Sequence, residues 1–303
     1  MNWDEEIIEF KNYLRLEKSL SQNSIEGYLH DVNGLKQYLD LIKLNVSPTQ
    51  VEMRHLTDFI GWINEMGLSA RTQARMISGI KAFFKYLLLE EKTDFDPSSL
   101  LETPRIGRKL PVYLSIEEID TIISVIDLSK PEGQRNKAII ETLYSCGLRV
   151  TELIELRISN LFFKDGFIKV IGKGNKERFV PIGEKAIKEI NLYLKFYRNK
   201  LNVPKDFINF LFLNRRGKRI TRVMIFTIIK ELADIAGIKK NISPHTFRHS
   251  FATHMVEGGA DLRAIQEMLG HESIITTEIY THLDRKYLRE TIIQFHPRSK
   301  KSY

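Results

Sequence analysis

Cysteine is almost missing from this sequence, and the scarcity excludes a good deal. The single thiol, Cys146, cannot close an internal disulfide, and without paired cysteines the usual structural zinc sites are out of reach. Cys146 stands in an apolar run and reads as a core filler. Among the histidines, His245 and His249 are four residues apart, but the acid of a His-Glu-x-x-His site is lacking, so no metal is expected. His249 and His254 read as packing or supporting residues. No Gly-x-x-x-x-Gly-Lys-Ser/Thr loop occurs, which removes the common phosphate-cradling nucleotide site, and no cofactor is expected. No uncharged apolar run approaches the ~18 residues of a membrane span. The opening Met1-Asn2-Trp3-Asp4-Glu5-Glu6 is acidic where a signal peptide would be basic, so the protein is expected to stay in the cytoplasm.

What the chain does have is length for two domains, 303 residues with 43% hydrophobic composition, and an uneven charge. Residues 1–108 carry 13 Lys/Arg against 16 Asp/Glu, whereas residues 109–303 carry 33 against 22. The basic excess of the second part fits a polyanionic partner, a bias shared by ribosomal, membrane-surface and merely solvated faces. Apolar residues recur at helical spacing four times before residue 93, in runs centred on Phe10, Val32, Phe59 and Phe83, predicting a four-helix bundle over residues 1–93. The fourth helix opens with Ser69-Ala70-Arg71-Thr72-Gln73-Ala74-Arg75. Its small and basic side chains, Arg71 and Arg75 among them, suit either a major groove or a solvated face. Residues 94–108, with Pro97, Pro104 and Gly107, read as a linker to a second domain over 109–303.

In that second part the prediction is again mainly helical, with one clear β signal. Two β-rich runs, residues 167–171 and 178–182, flank the glycine-punctuated turn Gly172-Lys173-Gly174-Asn175-Lys176-Glu177, so an antiparallel hairpin with lysines at its tip is expected. A lysine there can be tuned to give up a proton, which suits Lys173 to general acid work. Lys176, Arg178 and the basic turn Arg215-Arg216-Gly217-Lys218-Arg219 are expected to contact a phosphate backbone, and Arg71 and Arg75 are the bundle's candidates for DNA contact.

The densest chemistry lies in residues 243–282. Ser243 suits an N-cap and Pro244 the first helical position, so a helix should carry His245 and Arg248 one turn apart. Gly258-Gly259 stops it. A short helix capped by Asp261 ends at Gly270, a residue suited to a left-handed turn, just before His271, and Tyr280 follows. A tyrosine hydroxyl has a pKa near ~10 and needs a base and an electrophile made receptive by cations, while arginine forks bind two phosphate oxygens at once. Phosphoryl transfer to a protein hydroxyl would need these parts.

Taken in order, Arg149, Lys173, His245, Arg248, His271 and Tyr280 resemble the six-residue pattern of the tyrosine recombinases of the phage-integrase family, Xer-type in their surroundings: GLRVTEL, VIGKGNKERFVPIG, SPHTFRHSFATH and LGHESIITTEIYTH. The resemblance runs over essentially the whole chain. It implies a SAM-like helical DNA-binding bundle followed by an α-rich catalytic domain with a small antiparallel sheet, cutting and rejoining DNA without metal or ATP. It implies that Arg149, Arg248 and His271 hold the scissile phosphate, His245 assists deprotonation of Tyr280, and Lys173 protonates the leaving 5′-oxygen, with Glu152 steadying Arg149. The partners it implies are a double-stranded DNA site and a tetramer, either of one recombinase or with a second, on the nucleoid, and it admits a DNA translocase as activator. It also implies that the terminal amphipathic helix, with Tyr287, Leu288, Ile292 and Phe295, docks in a neighbouring subunit. An element-encoded integrase would use the same chemistry; a DNA-binding accessory protein would have no use for the six residues.

Overall fold

The structure is a computed structural model that describes residues 2–104, 107, 112–172, 175–270 and 282–299, the side chains of 282–286 excepted. The chain separates into two compact units, Met1–Lys109 and Leu110–Tyr303.

The first unit is a bundle of α1 (Trp3–Leu16), α2 (Gln22–Leu41), α3 (Met53–Glu65) and α4 (Ala70–Leu89). Short polar side chains start three of these helices: Asn2 accepts from the Asp4 amide, Ser21 from Ser24 and Ser69 from Thr72, each satisfying a donor the helix itself cannot. The apolar stripes then meet around Phe10, Phe59, Phe83 and Phe84, all essentially without solvent contact. Each such ring contributes about 1.5–3 kcal/mol on burial. Beyond the end of α4, Lys92 ties the bundle back to α1 through Glu6, at 2.7 Å, and Glu9.

The second unit is built on α6 (Gly133–Cys146), a helix buried on nearly all sides, with Ile139, Ile140, Leu143, Tyr144 and Cys146 fully enclosed. Burial pushes the Cys146 thiol far up, so it behaves as an inert apolar residue. Around α6 lie α5 (Ile116–Ser124), α7 (Val150–Glu155), α8 (Glu184–Phe196), α9 (Arg222–Ile235), α10 (Pro244–Glu257), α11 (Leu262–Leu269) and α12 (His282–Phe295). The expected hairpin is present as β2 (Phe167–Ile171) and β3 (Glu177–Pro181), with Lys169 opposite Phe179 and Ile171 opposite Glu177. A third strand, β1 (Leu161–Phe162), extends it antiparallel in the order β1-β2-β3. Two residues are too few to show a period of two, so nothing in the sequence announced β1. No helix among the described residues is long and apolar enough to cross a membrane.

In the single chain the terminal helix packs on its own unit. Leu288 and Ile292, four residues apart, are buried in the core of their own unit, and Phe295 packs partly against it, while Tyr287 and Ile293 point to solvent. At about 100° per residue Leu288, Ile292 and Phe295 fall within one narrow stripe, the face that meets the core, Tyr287 lies at its edge and Ile293 points the other way. After α12, His296 is completely enclosed, with its ring against Tyr144 and Phe251, and Arg298 pairs with Asp120 and, at 3.3 Å, with Glu141. The tail is therefore docked on its own chain.

Candidate active site

Helix α6 ends at Gly147, whose left-handed backbone (φ 57°) turns the chain sharply. A side chain there would also meet Phe251 at 2.6 Å. That turn places Arg149 as N-cap of α7, where its amide donates to Glu152 Oε2 at 2.8 Å and its Nη1 donates to Glu152 Oε1 at 3.0 Å. Glu152 is buried and meets a second arginine, Arg178 of β3, in a two-pronged pair: Nη1 to Oε1 at 2.7 Å and Nη2 to Oε2 at 2.9 Å. Burial alone would raise the Glu152 carboxyl, but the bonds and charge of Arg178, with Arg149, pull it below the usual carboxylate range.

The third arginine, Arg248 of α10, pairs with no carboxylate among the described residues. Its Nη1 donates to the Gly147 carbonyl at 2.8 Å and its Nη2 to that of Leu269 at 2.6 Å. A pattern emerges at the C-terminal end of α11. The carbonyl of Met268 accepts from Arg178 Nε at 3.1 Å, that of Leu269 from Arg248, and that of Gly270 from Arg149 Nη2 at 3.0 Å. Three successive carbonyls at the negative end of a helix dipole each hold one guanidinium. Gly270 is left-handed (φ 66°), and a Cβ there would sit 3.1 Å from the Arg178 side chain, so glycine serves both the turn and the close approach.

Among the described residues, three guanidiniums thus gather around one carboxylate that bonds two of them, and the excess of positive charge is felt within the site. Burial, then the charge of Arg149, lowers the Arg248 pKa to about 10, which still leaves it protonated at neutral pH. Arg149 is the most open of the three, with 39% of its side chain accessible. An anion entering beside it would relieve the repulsion.

His245 sits in the first turn of α10 and is exposed, one turn before the buried Arg248. Lys173, His271 and Tyr280 lie outside the described residues. The hairpin that carries Lys173 is closed at its base by the Gly172 amide donating to the Lys176 carbonyl at 2.8 Å. His254 is buried, its Nδ1 2.8 Å from the Tyr144 hydroxyl, and burial lowers its pKa; half-buried His249 packs its ring against Tyr113.

Of the residues expected on a phosphate backbone, Arg71, Arg75, Lys176, Arg215 and Arg216 are exposed. Arg178 is not. It faces inward and is consumed by Glu152 and Met268, so it supports the site from behind instead of meeting a duplex. The alternation of the strand could have shown this, because Arg178 shares a face with Val180, which is fully buried. Arg75 is also partly engaged, in an ion pair with Asp31 of α2.

A buried acid and a row of backbone carbonyls that together fix several arginines, beside a small antiparallel sheet, in a chain whose other unit is a helical bundle, define a recombinase-type catalytic unit. The chain belongs to the phage integrase family, whose model matches residues 113–286, and the SAM-like N-terminal domain of phage integrases matches residues 7–91. It is similar to the tyrosine recombinase XerD of Listeria innocua, 42% identical over 293 residues that span 97% of this chain and 99% of the relative. The XerD of Chlorobaculum tepidum is 43% identical over 299 residues, 98% of this chain and 97% of that one. A like fold is seen in the XerH site-specific recombinase bound to a palindromic difH substrate as a post-cleavage complex, with 24% identity, 96% and 88% coverage and a TM-score of 0.69. The protein is a site-specific tyrosine recombinase of the Xer type.

Proposed function

We propose that this recombinase cuts and rejoins double-stranded DNA at a specific site through a 3′-phosphotyrosyl intermediate, as one protomer of a tetramer, and so resolves chromosome or plasmid multimers. The observation that carries the chemistry is the excess of positive charge that Arg149, Arg178 and Arg248 gather around Glu152. A phosphodiester carries one negative charge, and in-line attack concentrates further charge on its non-bridging oxygens in the transition state. Arg149 and Arg248 would bind those oxygens, with His271 adding a donor from the residue after Gly270. Because the carbonyls of α11 hold the guanidiniums before substrate arrives, little reorganisation remains for the reaction step.

In this reading the Tyr280 hydroxyl attacks phosphorus while its proton passes to His245, and the bond from phosphorus to the 5′-oxygen breaks. Lys173 gives that oxygen a proton. One phosphodiester replaces another, so the reverse attack by a 5′-hydroxyl of the partner strand needs no ATP. The exposed Arg71 and Arg75 of the bundle, with Lys176, Arg215 and Arg216 of the second unit, would contact the duplex. The multimer-resolving role is supported by similarity to XerD proteins over nearly the full length of this chain.

The test is a nicked suicide substrate that traps the covalent complex. Wild-type protein should accumulate a protein–DNA adduct, and Tyr280→Phe should bind the same DNA and form none. An adduct at wild-type yield from the variant would refute the assignment.

A further inference from the structure

Site-specific recombination requires the bundle to distinguish one duplex sequence from others, and α4 opens with two exposed arginines. They are not alike. Among the described residues Arg71 makes no ion pair or hydrogen bond, whereas Arg75 places Nη1 2.6 Å from Oδ1 of Asp31, on the neighbouring helix α2, and 3.5 Å from the Gly27 carbonyl. Asp31 is only 2% exposed, while 49% of the Arg75 side chain remains open. His30, 3.7 Å from the same oxygen, is largely in solvent.

A nearly buried carboxylate is costly to maintain unless something requires it. Here the desolvation is real: burial raises the Asp31 pKa against the opposing pull of Arg75. Oδ1 has no hydrogen bond of good geometry apart from this ion pair. The helix packing is also cut to fit the acid. Gly79, one turn beyond Arg75 on α4, lies so close that a Cβ would stand 2.6 Å from Asp31 Oδ2 and 2.7 Å from its Cβ. An acid has been seated between α2 and α4 where an apolar residue would pack without penalty, and the group it reaches is a surface arginine at the start of the helix expected to meet DNA.

We propose that Asp31 is a positioning residue for site recognition, holding the Arg75 guanidinium in one pose so that its open edge meets a base or phosphate of the specific duplex. A free arginine side chain gives up much rotamer freedom when it is fixed. An arginine held by Asp31 has lost that freedom on folding, so less is lost on binding. The carboxylate also lowers the net charge beside the duplex. Fixed geometry and reduced charge both favour a matched site over arbitrary DNA.

This inference rests on the DNA-recombining function proposed above, and the two can fail separately. The probes are the genomic fragment that wild-type protein protects most strongly in footprinting and a random-sequence duplex of equal length. If wild-type protein does not prefer the first, the proposed function itself is at fault. Given that preference, Asp31→Asn should weaken binding to the protected fragment about tenfold, the scale of one lost directed arginine contact. Its binding to random duplex should stay equal or strengthen, because a negative charge has gone.

In an Arg75→Ala background the added Asp31→Asn change should alter the ratio of the two affinities by less than twofold. Equal weakening on both duplexes would mean a merely structural acid, and equal strengthening a merely repulsive one. Either result overturns the proposal, as does an additive double variant. Arg75→Lys, at an exposed position that does not endanger folding, keeps the charge but not the fork. It should lose the preference while retaining affinity for random DNA, and an unchanged preference would refute the proposal even if Asp31→Asn failed to fold.

Discussion

His296 makes the docking of the C-terminal tail a pH-dependent equilibrium with a magnitude that can be worked out. The imidazole is fully enclosed, its Nδ1 accepts from the Arg298 amide at 3.1 Å, and Nε2 has no partner of hydrogen-bond geometry among the described residues. Burial, reinforced by the nearby positive charge of Arg298 and by His254, lowers its pKa from 6.5 to about 3. The folded pKa is depressed, so between these values the opened state binds the proton and the docked state does not. The stability that docking gives is therefore complete above about pH 6.5 and is lost as pH falls toward 3. At about 1.4 kcal/mol per pH unit of unmatched protonation, acidification from pH 7 to pH 5 should cost the docked tail about 2 kcal/mol.

Both tryptophans, Trp3 and Trp62, belong to the first unit, so tryptophan fluorescence would miss this event. Amide hydrogen exchange of residues 288–299, corrected for the intrinsic pH dependence of exchange, reports it directly. His296→Phe keeps an aromatic ring against Tyr144 and Phe251 and removes the titrating group. Its opening free energy should be nearly independent of pH where the wild type loses about thirtyfold in protection. Glu141, whose carboxyl burial raises, acts in the opposite sense but is common to both proteins. The same pH slope in wild type and variant would show that His296 does not control the docking.

Glu152→Gln removes the acid that Arg149 and Arg178 share, leaving buried positive charge uncompensated. A loss of about 3–5 kcal/mol in the second unit, read by chemical denaturation, is expected together with loss of DNA cleavage. Lys173→Ala should cleave ordinary DNA poorly yet recover on a substrate with 5′-bridging sulfur, since a thiolate leaving group needs no acid, and absence of selective rescue would move the acid elsewhere. DNA affinity should fall steeply with salt, with a log–log slope near −0.9 for each phosphate contacted; a nearly flat titration would contradict the basic contact surface.

Much of this architecture was legible because its determinants are local. Apolar stripes marked the first four helices, and Asp261 with Gly270 both ends of α11. The role of Arg178 was not, because a basic residue beside a lysine-rich turn suggests solvent, and only Val180, two residues on in the same strand, betrays the inward face. The support of the arginines was invisible for a different reason. It is supplied by backbone carbonyls at Met268, Leu269 and Gly270, and a carbonyl leaves no mark in the residue alphabet.

That backbone support bears on how such a site tolerates sequence drift. Every amino acid offers the same carbonyl oxygen, so substitutions at Met268 or Leu269 that preserve the helix leave the grip on Arg178 and Arg248 unaltered. Inheritance of the cradle is thereby concentrated in very few letters: the three arginines, the acid between two of them, and the glycine that lets α11 end where it does. A variant library across α11 should accordingly show broad freedom at the exposed Leu262, Arg263 and Gln266, exchange among apolar residues of similar size at the buried positions, and a sharp boundary at Gly270, where any side chain must contend with both a left-handed backbone and Arg178 at 3.1 Å.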